Sequence, residues 1–86
     1  MNFIETARFR KAYQILPQDV KERVKKTLLN MDNDIRYPSL HAKKIQGAEN
    51  IWEARIDLDY RITFQIINDS IILRNVGHHN PTLKNP

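Results

Sequence analysis

The stretch IWEARIDLDYRITFQIINDSIILRNVG (residues 51–77) decides the fold. Apolar and polar residues alternate through it with a period of two, the spacing of a strand that has one covered and one open face. Aspartates around 57–59 and Asn68–Asp69 interrupt the alternation at hairpin length and with hairpin chemistry. The stretch therefore predicts a three-stranded antiparallel meander. Trp52, Ala54, Ile56, Ile62, Phe64 and Ile66 share the covered face, joined by Ile71 and Leu73. Glu53, Arg55, Asp57, Arg61, Thr63 and Gln65 share the other, with Ile72, Arg74 and Val76. One arginine from each strand is thus expected on the open face.

Upstream the period changes to that of a helix. Thr6 offers an N-cap hydroxyl, and Phe9, Ala12, Tyr13 and Leu16 form one stripe. Pro17 ends that helix and suits the start of the next, where Val20, Val24, Leu28 and Met31 recur on one side. The second helix should stop near residues 31–34, and Tyr37–Pro38 marks the break. Residues 39–50 read as a basic connection that turns near Gly47, and residues 1–4 as a short first strand. Helices first and strands afterwards mean α+β. The expectation is one domain, residues 1–86: an N-terminal antiparallel helix pair packed on a small, mostly antiparallel sheet of three to four strands.

The totals narrow the function. An 86-residue chain buries only roughly 60–65% of its unfolded surface, so its site should lie on an open face. Without cysteine there is neither a disulfide nor a thiolate metal centre. No apolar run approaches the roughly 20 residues of a membrane span, and no signal-like segment opens the chain. A cytoplasmic protein without membrane contact is expected. The net charge of +4 favours an anionic partner.

Two readings of the arginines compete. An open sheet face must be polar, and arginine suits it; alternatively Arg55, Arg61 and Arg74 form a phosphate-binding surface, since guanidinium forks match phosphate oxygens. Lys43 and Lys44 would extend that surface. His78 and His79, just past the last strand, are either a solvated tail or proton-transfer groups. With only His41 elsewhere they make a poor metal set, so no metal and no cofactor are expected. RNA carries its own nucleophile, the 2′-hydroxyl, and its cleavage needs only a base, an acid and cations. Tyr60, beside Arg61, is either a packing residue or a base-stacking one.

The run SLHAKKIQG with W-E-x-R (Trp52–Arg55), Y-R-I-x-F (Tyr60–Phe64) and V-G-x-H (Val76–His79) resembles the RelE/ParE superfamily of toxins from bacterial type II toxin–antitoxin systems. That resemblance covers nearly the whole chain. It implies a helix pair on a small concave sheet and, in the favoured RelE/YafQ-like branch, a metal-independent endoribonuclease. Such enzymes cut mRNA on the ribosome by 2′-hydroxyl attack and are neutralised by a cognate antitoxin in a hetero-oligomer. Arg61 matches the arginine set against the scissile phosphate, Arg55 a basic position on the preceding strand, and His79 the C-terminal histidine of the YafQ-like branch. Asp59 sits where that branch has an aspartate. The resemblance leaves His78 as a second candidate for proton transfer, with Lys43, Lys44, Arg74 and Tyr60 as RNA contacts. No tyrosine follows Tyr60, and the tail NPTLKNP lacks the aspartate of the YafQ-like pattern. The alternatives are a ParE-like, non-catalytic gyrase inhibitor and a non-toxic member that binds only its antitoxin.

Overall fold

In the computed structural model, which describes residues 2–86, β1 (Asn2–Glu5) is followed by α1 (Ala7–Gln14) and α2 (Gln18–Asn33). A single 3-10 turn (Pro38–Leu40) leads to β2 (Lys43–Lys44), β3 (Trp52–Arg55), β4 (Tyr60–Ile67), β5 (Ser70–His78) and α3 (His79–Lys84). The first strand expected at residues 1–4 thus falls on Asn2–Glu5; Met1 lies outside the described residues.

Local chemistry accounts for most of these boundaries. The Thr6 hydroxyl accepts the Phe9 amide at 3.1 Å and caps α1, while donating to the Leu73 carbonyl at 2.8 Å. One side chain therefore starts a helix and pins it to β5. Pro17 stands at the N-cap of α2 with extended backbone (ψ 151°), separating the two helices. Asn68 takes φ 54° in the two-residue β4–β5 turn, a conformation asparagine tolerates.

The sheet has five strands in the order β1-β5-β4-β3-β2, with β1 parallel to β5 and the remaining pairs antiparallel. This is larger and more mixed than the three to four mostly antiparallel strands expected. The added element is β2, too short to show a period; the expected first strand, β1, makes the sheet mixed by pairing in parallel with β5 at the far end of the chain. Phe9, Val20, Val24 and Met31 from the helices join Ala54, Ile62, Phe64, Ile71, Leu73 and Val76 in one buried cluster. Trp52 stacks on Phe64 at its margin, centroids 6.3 Å apart.

Two further expectations about faces give way. Opposite Thr63 the ladder holds Asn75, but opposite Phe64 it holds Leu73, so Arg74 is an extra residue. That bulge restarts the alternation one residue later. Val76 therefore pairs with Ile62 and is 3% exposed in the core, not on the open face beside Arg74. The chain beyond Gly77 is also not a loose tail: residues 79–84 form α3, which packs against β4 and β5.

Candidate nucleic-acid interface and active site

Strand register places the polar side chains in rows on the face away from the main core. One row runs Lys43, Glu53, Thr63, Asn75; the next runs Arg55, Arg61, Gly77. Arg55 and Arg61 stand directly opposite one another, a like-charge pair that is unfavourable unless an anion is shared. Glu53 supplies part of that compensation. Its carboxylate lies 4.0 Å from the Arg61 Nε, and the two side chains are 12% and 9% exposed.

Arg61 is held from several sides. Its Nη1 donates to the carbonyls of Asp57 (2.6 Å) and Tyr60 (2.9 Å), with a longer contact to Leu58 (3.4 Å). These acceptors belong to the β3–β4 turn, which Asp57 itself organises by accepting the amides of Asp59 (2.8 Å) and Tyr60 (2.9 Å). Arg23 of α2 completes the turn with a 2.9 Å bond to the same carboxylate. Partial burial acts to raise the Asp57 pKa, but the two amides and Arg23 outweigh it and hold the carboxyl below its ordinary value. Arg61 is thus both a rigid cation and a strut of the fold.

Gly77, opposite Arg61, opens the space that α3 uses. A Cβ at this position would come within 2.8 Å of the Thr82 hydroxyl, and Thr82 is buried. The end of the chain is tied down as well: the Pro86 carbonyl accepts from Thr63 Oγ1 (3.1 Å) and Arg74 Nε (3.2 Å), and the Asn85 carbonyl from Asn75 Nδ2 and Arg8. At the start of α3 the His79 amide donates to the Asp59 carbonyl at 2.7 Å. The His79 Nδ1 lies 2.8 Å from Asn80 Oδ1, an atom that can only accept. With the amide so placed, Nδ1 carries the proton and the neutral ring keeps its lone pair on Nε2.

Leu58, Asp59, Arg61, His78, His79, Asn80 and Pro81 enclose a cleft of about 420 Å³. Arg61 and His79 thus share one cleft, whereas the His78 ring is turned to Tyr60 on the other side of the sheet. A larger groove of about 780 Å³ between α1, β5 and α3 includes Arg8 and His78 but neither Arg61 nor His79. Chemistry rather than volume selects the smaller one. Among the described residues no group of three His, Cys, Asp or Glu side chains is arranged to hold a metal ion.

The other candidates are dispersed. His78 pairs with Tyr60 across the sheet; the rings stack at 4.5 Å, and the phenol lies 3.4 Å from His78 Nε2. Arg74 bonds to Gln65 Oε1 (2.9 Å) and to Pro86. Lys43 and Lys44 sit on consecutive positions of β2 and so on opposite faces; Lys44 lies 5.6 Å over the Trp52 ring. His41 lines a different cavity with Trp52. Arg55 keeps its Nε buried without a hydrogen-bond partner. Sequence reading left open which arginine Glu53 pairs with, and it passed over Asn80 as the partner of the His79 ring. The i, i+8 separation of Glu53 and Arg61 across a short hairpin was the available signal for the first.

No protein-family model and no curated protein matches the sequence. Solved structures do. A chain of the RelB–RelE antitoxin–toxin complex from Methanococcus jannaschii is similar over 96% of this chain and 99% of its own, with 26% identity and a TM-score of 0.76. YafQ from E. coli strain BL21(DE3) is similar over 94% and 96%, with 12% identity and a TM-score of 0.80. An archaeal RelE–RelB complex from Pyrococcus horikoshii OT3 contributes a third likeness at 17% identity over 92% and 94%, TM-score 0.75. At the identities of the last two, the likeness is one of fold. The molecule is thus a small α+β domain whose mixed sheet carries a buried arginine on one face, with His79 at its rim. Over nearly its whole length the chain has the fold of the RelE and YafQ toxins in these structures. The fold is not confined to bacteria: the Pyrococcus horikoshii complex is archaeal.

Proposed function

We propose that the protein is the toxin of a toxin–antitoxin pair and acts as a metal-independent, ribosome-dependent endoribonuclease on mRNA. The observation that carries this reading is the cleft of about 420 Å³ lined by both a fixed guanidinium, Arg61, and the ring-bearing His79. In this mechanism His79 Nε2 takes the proton of the 2′-hydroxyl as the O2′–P bond forms. The P–O5′ bond breaks, the leaving oxygen is protonated by solvent, and a 2′,3′-cyclic phosphate remains. Arg61 stabilises the charge that builds on the phosphorane, and a positioned histidine contributes ~10²–10⁴-fold. Tyr60, Lys43, Lys44 and Arg74 are the candidate RNA contacts beyond the scissile phosphate.

An antitoxin partner is part of the same reading, supported by the likeness to chains from RelB–RelE and DinJ–YafQ complexes. Action in the cytoplasm follows from an mRNA target; no helix among the described residues is long and apolar enough to cross a membrane. The test is primer extension on a defined mRNA in a purified translation reaction, with wild type and His79→Ala side by side. Cuts inside ribosome-occupied codons that vanish in the variant are expected. A folded wild-type protein that makes no cut would overturn the reading in favour of a gyrase-type target.

A further inference from the structure

Arg55 Nε is the one buried side-chain polar atom without a hydrogen-bond partner among the described residues. A buried donor left unmade costs free energy, so it points to a group that is bound when the protein works. Arg55 lines a crevice of about 340 Å³ between α2, the 3-10 turn and β3, together with Arg23, Lys26, Asn30 and Ser39. No carboxylate lines it. Arg23 is paired with Asp57 and Asp19, so the unneutralised cations are Lys26 and Arg55. An oxyanion seated there would lie among Arg55, Lys26, Ser39 and Asn30, whose side chains carry guanidinium, ammonium, hydroxyl and amide donors. Those donors suit a phosphate better than an apolar or cationic group.

We infer that this crevice is a second phosphate subsite, which takes a phosphodiester of the RNA backbone away from the scissile one. The inference rests on the proposed ribonuclease reading, and the geometry ties the two places together. Arg55 is the cross-strand partner of Arg61, which lines the His79 cleft. A chain of cations thus runs from Lys26 through Arg55 to Arg61, and a single-stranded backbone laid along it meets a donor at both ends. Arg55 lines this crevice and not the His79 cleft, so it serves the flanking phosphate while Arg61 serves the scissile one.

The test is NMR on the whole protein, following the Arg55 Nε–Hε signal and the amides of Asn30 and Ser39. The titrants are a fully 2′-O-methylated hexaribonucleotide, which cannot be cleaved, inorganic phosphate, and an acidic hexapeptide. The RNA should move all three signals. Lys26→Ala should lose those shifts and lower the log–log salt slope of binding by about 0.7. Lys25→Ala should retain both, since Lys25 lines a different cavity with Phe9 and Leu28. Unmoved signals with RNA would overturn the subsite. A response to phosphate alone would reduce it to a free-anion site, and a response to the peptide alone would reassign it to a protein partner; either refutes the RNA assignment. RNA binding here without any cut on ribosomes would sink only the ribonuclease reading. Cuts on ribosomes with Arg55 unmoved would sink only the subsite.

Discussion

Gly77→Ala is the change that most directly probes how the cleft is built. Gly77 faces α3 from β5, and the added methyl would lie 2.8 Å from Thr82 Oγ1, well inside contact distance. Thr82 is 3% exposed and β-branched, so it cannot swing away without displacing its own methyl into neighbours. Either α3 lifts from the sheet or β5 shifts beneath it. Overpacking of this kind costs about 1–3 kcal/mol, which in a domain this small lowers the melting temperature by roughly 5–20 °C. Thr82→Ala removes the opposing oxygen, so the double variant should regain most of the loss, a coupling that a thermal-melt double-mutant cycle reads directly. Because His79 begins the same helix, cleavage by Gly77→Ala should fall even where the protein remains folded. Coincident melting of Gly77→Ala and wild type, or no relief in the double variant, would refute the packing argument.

Two more outcomes follow from the same network. Arg61→Ala should abolish cleavage but also destabilise the fold by about 3 kcal/mol, since it strands the buried Glu53 and frees three turn carbonyls; adding Glu53→Ala should recover part of that in denaturant melts, and an unchanged midpoint for Arg61→Ala would count against the strut. Asp57 has its native pKa held below the unfolded 3.8, so its contribution is complete above about pH 4 and fades as pH falls through the lowered native value. Melts of wild type and Asp57→Asn should therefore differ most near neutrality and converge in acid; a gap independent of pH would contradict this.

Much of this architecture was legible along the chain because its causes are local. The Thr6 cap, the Val20–Val24–Met31 stripe and the asparagine turn at Asn68 act within a few residues, and each stands where the sequence placed it. Period-two alternation also put Arg55 and Arg61 correctly on one face. The reading failed at Val76 because the extra residue at Arg74 exists only in relation to β4, 10 or more positions upstream in the ladder. Lys43 and Lys44 looked like one basic patch until pairing with β3 sent them to opposite faces.

The sequence by itself determined the α+β class, the three-strand meander and the arginine face, because period and capping are properties of neighbouring residues. Only the tertiary structure decided that His79 begins a packed helix and not a loose tail. A six-residue helix cannot hold itself together in water. It forms here because Gly77 leaves room for Thr82, and because Thr63, Arg74, Asn75 and Arg8 grip residues 85–86. Those contacts span up to 77 residues of sequence, beyond the reach of any local pattern.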